Sequence, residues 1–162
     1  MQPKIVTLGA HGLERDSFFQ ALVDAHVDVF CDLRRRRGMR GTQYAYANSE
    51  RLQRRLDELG IRYVSLKDLA PSDELRAKQY AEDKLQRVTK RMRVELAQHY
   101  IDAYEQENLS SFDPAEFLAR VGPDAKVICL FCVEREPAAC HRFLVAQRLS
   151  DDLSLEVEHI RP

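Results

Sequence analysis

The stretch Lys126-Val127-Ile128-Cys129-Leu130-Phe131-Cys132-Val133, continuing as Glu134-Arg135-Glu136-Pro137-Ala138-Ala139-Cys140-His141-Arg142, decides how the rest of the chain is read. Its first half is the most hydrophobic run of the sequence and predicts a buried strand. In its second half Pro137 suits the first turn of a helix, which Leu144, Val145 and Leu149 pin to a core. A buried strand feeding a helix is half of a βαβ unit, and the segments on either side repeat the pattern.

Upstream, Lys4–Leu8 reads as a first strand. Phe18, Leu22 and Ala25 mark one face of a helix over 14–25. Val27–Leu33 is nearly continuously apolar, as expected of a strand covered on both faces. Asn48 and Ser49 are candidate caps for a helix over about 50–59, which Gly60 ends. Ile61–Leu66 is the third strand. Ser72 to about Asn108 is charged and helical in pattern, with Leu85, Val88, Met92 and Leu96 as one stripe, and its length predicts two helices. Asp113-Pro114-Ala115-Glu116 is a helix start, and Leu155–Ile160 closes the chain as a fifth strand.

Strands alternating with helices predict an α/β fold: a three-layer α/β/α sandwich with a mostly parallel five-stranded sheet. Residues 1–162 read as one domain, with a long helical insert over 72–108.

The 162 residues carry 25 basic and 26 acidic side chains, a formal charge of −1. That near-neutrality hides a division. Residues 34–93 hold 17 basic and 8 acidic side chains, while the remainder holds 8 and 18. No apolar run approaches the ~20 residues that span a bilayer, and Met1-Gln2-Pro3-Lys4 lacks the character of a signal peptide. The expectation is a cytoplasmic protein with no membrane partner. The four cysteines (Cys31, Cys129, Cys132 and Cys140) are then thiols, and the alternatives for them are core filler, metal ligand or reactive group.

Ligands of such sheets bind beyond the carboxyl ends of the strands. Four segments should meet there. They bring Gly9 and His11, then Asp32 with Arg34, Arg37 and Arg40, then Lys67 and Asp68, then Cys132, Glu134, Cys140, His141 and Arg142. Cys140 and His141 fall near a helix N-terminus, where the dipole favours a thiolate or an anion. Arg142 offers a fork of donors to phosphate or carboxylate. Cys132 could face Cys140 across the loop. Cys129 and Cys132, three apart on a strand, point to opposite faces and make no pair. Cys31 is assigned to the core.

The segment from Cys132 through Leu149 resembles the signature of the family called "domain of unknown function 488". Further matches lie at Thr7-Leu8-Gly9, at Asp32-Leu33-Arg34 leading into Gly38-Met39-Arg40, and at Leu59-Gly60-Ile61-Arg62-Tyr63-Val64. The resemblance spans nearly the whole chain. It implies an α/β sandwich and no particular activity.

Two function classes stand. One is an enzyme for a phosphorylated or nucleotide-like anion. Here Asp32, Arg34, Arg37, Arg40, Arg142, Gly9 and His11 form the ligand site, and Cys140, His141 and Glu134 supply nucleophilic attack or proton transfer. The other is a non-catalytic nucleic-acid-binding module using the basic 34–93 region, with the Cys/His loop structural or metal-binding. Zinc needs about four ligands, and Cys-x7-Cys-His is not a knuckle spacing, so no metal is assigned. The cofactor is left open.

Overall fold

Alternation along the strands shapes the molecule. The computed structural model describes residues 2–162. In β4 (Val127–Phe131), Ile128 and Leu130 face one layer and Cys129 and Phe131 the other. β1 (Lys4–Leu8) divides likewise, Ile5 against Val6 and Leu8, and β2 (Val29–Asp32) sets Val29 and Cys31 against Phe30. β3 (Arg62–Ser65) and β5 (Val157–His159) form the edges, giving the order β3-β2-β4-β1-β5 with every pairing parallel. A sheet buried on both faces has no polar side, so the central strands read as continuous apolar runs.

Helices cover both faces. On one, α1 (Arg15–Asp24) and α2 (Ser49–Glu58) set Phe18, Leu22, Leu52 and Leu56 against Phe30, Cys129 and Phe131. Fully burying a side chain such as Phe18 contributes about 1.5–3 kcal/mol. On the other face, α5 (Pro114–Val121) and α6 (His141–Leu153) bring Phe117, Val145 and Leu149 onto Ile5, Cys31 and Leu130. α3 (Asp73–Leu85) and α4 (Gln98–Tyr104) add Leu75 and Tyr104 to this second core. The result is the three-layer α/β sandwich expected.

Local signals account for several boundaries. Asp113 caps α5 by accepting from the Ala115 N–H at 3.0 Å, with Pro114 in the first turn. The Ser72 hydroxyl accepts from the Leu75 N–H at 3.1 Å and starts α3. Gly60 follows α2 at φ 73°, a left-handed conformation that glycine adopts without a Cβ clash. Asn48 precedes α2, but its side chain does not cap it. Its Oδ1 accepts from the Met39 N–H at 2.6 Å and so fastens the arginine-rich loop instead.

Two expectations are corrected. The region around 72–108 does contain two helices, yet the stripe Leu85, Val88, Met92 and Leu96 is not a helical face. α3 stops at Leu85, and residues 86–97 run as turns, with Leu85 78% and Met92 68% exposed. This strap is held by tertiary bonds. Leu96 N–H donates to Ala138 O at 3.0 Å, Ala97 N–H donates to Gln79 Oε1 at 2.9 Å, and Arg93 is buried in ion pairs. Those bonds outweigh the weak local preference for helix. The second correction concerns Pro137, which opens a separate 3-10 turn, Pro137–Ala139. α6 begins at His141, with Cys140 as its extended N-cap.

Candidate functional site

The carboxyl ends of four strands and the strap enclose a cavity of about 350 Å³. Each wall is set by the element beneath it.

β2 ends at Asp32, which is fully buried and saturated. It accepts the Arg34 fork (Nε to Oδ1 and Nη2 to Oδ2, both 2.8 Å), the Arg34 backbone N–H and the Tyr63 hydroxyl at 2.7 Å. A planar fork on a carboxylate fixes both groups. The Arg34 guanidinium also lies 4.8 Å over the Phe131 ring, while its buried Nη1 has no partner within the protein. Arg34 lines the cavity and Asp32 lies behind it, so Asp32 positions the arginine. Arg40 lines the cavity as well. Arg37 turns away and donates to the Tyr63 hydroxyl at 3.3 Å.

β1 leads to Gly9 and His11. A Cβ on Gly9 would stand 1.9 Å from Glu134 O, so this glycine lets two loops touch and does not line the cavity. His11 does line it, with Nδ1 unpartnered. Burial, together with Lys90, Arg91 and Arg142, outweighs Glu134 and lowers the imidazole to about 4. Tyr44 and Tyr46 pack under this loop. The Tyr46 hydroxyl donates to Leu13 O at 2.9 Å, and the Tyr44 hydroxyl accepts from the Gly12 N–H at 3.2 Å.

β4 delivers the sulfur. His141 Nε2 is 3.1 Å from Leu33 O, and because a carbonyl only accepts, Nε2 carries a proton. Nδ1 is thereby aimed at both thiols, 3.8 Å from Cys140 Sγ and 3.9 Å from Cys132 Sγ. All three donor atoms lie within 4.8 Å of one another. Burial would push the Cys140 thiol up. The neighbouring Cys132 thiol and the charges of His141 and Arg142 prevail, against Glu134, and bring it to about 5. Cys132 moves the other way, well above an ordinary thiol, because the adjoining Cys140 sulfur and its own burial both favour the protonated form. His141 is raised, since Cys140 and Glu134 outweigh burial. Lowered at Cys140 and raised at His141, the two shifts favour a thiolate facing an imidazolium, while Cys132 favours its neutral form.

Glu134 does not pair with Arg142 or Arg135. Its carboxylate meets Arg93 at 3.3 Å and Lys90 at 3.7 Å, leaving Oε2 without a hydrogen-bond partner. Burial opposes its ionisation, but Lys90, His141 and Arg93 hold it below the usual carboxylate range. Arg142 is fully buried and spends its fork on the loop, donating to Glu134 O at 2.7 Å and Arg135 O at 3.4 Å. It pins the loop and does not line the cavity.

The lining is strongly cationic. The loop after β2 supplies Arg34, Arg35, Arg36 and Arg40, α3 supplies Arg76, and the strap supplies Lys90, Arg91 and Arg93. Glu134 is the lone carboxylate among the lining residues. The two basic stretches of the sequence therefore meet in one place. In the sequence Arg76 and Arg93 are only two members of the basic 34–93 region, and no local signal separates a buried arginine from an exposed one. The cluster Cys132, Cys140 and His141 is also the one donor set among the described residues close enough for a metal ion. It is one ligand short of a closed zinc site. Cys31 and Cys129 are core thiols, both pushed up by burial, Cys31 to about 12.

The model of the family described as "Domain of unknown function DUF488" matches residues 14–149. No curated protein and no solved structure matches the chain. No helix among the described residues is long and apolar enough to cross a membrane.

Proposed function

The chain belongs to the DUF488 family, and from its site we propose that it is an enzyme acting on a small phosphorylated or nucleotide-like anion, with Cys140 as the attacking thiolate. One observation carries the reading: a cavity with eight cationic side chains and one carboxylate in its lining converges on the Cys140–His141 pair.

Arg34 and Arg40 hold the anion, Arg34 through its free Nη1 and with its geometry set by Asp32. Neutral His11 offers a further hydrogen bond. Cys140 Sγ forms a bond to the electrophilic centre, and the leaving group departs with the electron pair and takes the proton from His141 Nδ1. Water then releases the covalent intermediate, with His141 as the base. Glu134, ionised beside the pair, favours the imidazolium form of His141. In this reading residues 1–162 work as one domain in a reducing compartment such as the cytoplasm, and the segment 72–108 forms a wall of its active site.

Thermal shift with inorganic phosphate and AMP tests the binding, and iodoacetamide alkylation of Cys140 tests the nucleophile. The expected result is a saturable rise in Tm that survives added salt and is lost in Arg34→Ala and Arg40→Gln, with alkylation slowed by the same anions. The nucleic-acid reading predicts the reverse: oligonucleotide binding that weakens steeply with salt and is indifferent to Cys140→Ala. That result would overturn the enzyme.

A further inference from the structure

The mechanism above leaves Cys132 unused. This thiol lines the same cavity, 5% exposed, with its Sγ within 4.8 Å of Cys140 Sγ. His141 Nδ1 is nearly equidistant from the two sulfurs, and the Leu33 carbonyl holds the ring in place. A single nucleophile needs one imidazole and no second thiol. Two thiols sharing one imidazole are what a dithiol reaction requires, because protons must leave one sulfur and reach the leaving group of the other. Cys31 and Cys129 lie in the two cores and line no part of the cavity, so the pairing is confined to Cys132 and Cys140.

We propose that Cys132 and Cys140 form a two-cysteine centre that reduces small hydroperoxides, with Cys140 attacking and Cys132 resolving. Cys140 Sγ attacks the terminal oxygen of the peroxide and the O–O bond breaks. The alkoxide or hydroxide leaves with the electron pair and takes the proton from His141 Nδ1, and Cys140 becomes a sulfenic acid. Cys132 then gives its proton to the freed Nδ1 and attacks Cys140 Sγ. The S–O bond breaks, hydroxide collects the proton from His141, and water departs. In sum, one hydroperoxide and two thiols yield an alcohol or water, a second water and one disulfide. An external dithiol returns both cysteines to the reduced state.

Burial selects the size of the substrate. Cys140 is 1% exposed and is reached through the cavity, so a small peroxide enters while the disulfide of another protein does not. The cationic lining favours a hydroperoxide that carries an anionic group. The inference rests on Cys140 being the thiolate nucleophile proposed above, and it gives that nucleophile a further substrate class, small hydroperoxides, and gives Cys132 a role.

The test treats the reduced, folded chain with one equivalent of hydrogen peroxide, removes the peroxide, unfolds the chain in guanidinium so that N-ethylmaleimide blocks every remaining thiol, and maps the peptides by mass. The expected product has lost two hydrogens, links Cys132 to Cys140, leaves Cys31 and Cys129 blocked by the reagent, and reverts with dithiothreitol. In Cys132→Ser the sulfenic acid persists on Cys140 and is trapped by dimedone, whereas Cys140→Ser gives neither product. Sulfenic or sulfinic acid on wild-type Cys140 without a link to Cys132 overturns the inference but leaves the nucleophile standing. A Cys140 that resists both peroxide and iodoacetamide overturns both readings. Purified protein holding equimolar zinc on the three donors, with both thiols inert, overturns this inference too.

Discussion

Arg93 reaches Glu134 across 41 residues of chain, its Nη2 3.3 Å from Oε1, while its Nη1 holds Asp83 at 2.6 Å. The same guanidinium donates to Ala139 O at 3.0 Å. One buried cation therefore ties the end of α3, the strap and the loop after β4 into a single wall. Replacing it with methionine takes the closest cation from two buried carboxylates, leaving Asp83 with the Gln79 amide and Glu134 with Lys90. The expected cost of Arg93→Met is about 3–5 kcal/mol in urea unfolding. A change below about 0.5 kcal/mol, the usual range for a surface position, would show that the strap does not rely on this residue.

The lowered thiol of Cys140 predicts a distinctive pH profile. Alkylation of Cys140 by iodoacetamide should reach half its maximum near pH 5, because that thiol is lowered to about 5, and should be flat through neutrality. An unperturbed thiol changes most between about pH 7.5 and 9.5. His141→Gln removes a stabilising charge and should move the midpoint upward. A wild-type midpoint at the ordinary thiol position would refute the ion pair.

His11 makes the fold acid-sensitive. Its native imidazole is held at about 4, whereas the unfolded chain takes up the proton near pH ~6.5. Between those values the unfolded state binds more protons, so stability falls as pH drops from about 6.5 towards 4 and is fully present above that window. Urea midpoints measured across the range should decline more steeply in wild type than in His11→Asn. Parallel curves would mean that another group governs the acid limb.

Gly9 is predicted to tolerate no side chain. A Cβ there stands 1.9 Å from a backbone carbonyl that Arg142 also holds, so neither partner can yield cheaply. Gly9→Ala should lose about 1–3 kcal/mol by overpacking, and the parting loops should also slow the alkylation of Cys140. A variant of wild-type stability would mean that the loop after β4 is softer than its bonds imply.

The sequence by itself determined the sheet, its two covered faces and most element boundaries. Those signals act within a few residues: alternation along Val127–Phe131, the cap of Asp113 with Pro114, and the stop at Gly60. It also placed Cys140 and His141 together at a helix start, because adjacent residues cannot be far apart. Which arginines serve the cavity was decided by tertiary structure alone. Arg34, Arg37 and Arg142 look alike along the chain. In the fold one lines the site, one bonds a tyrosine and one holds a loop. The strap shows the same limit. Leu85, Val88 and Met92 have helical spacing, but the backbone there follows the buried Arg93, whose partners lie 10 and 41 residues away. Periodicity records the local preference of the backbone. A buried ion pair between distant residues exceeds that preference, and only the folded chain brings the two charges together.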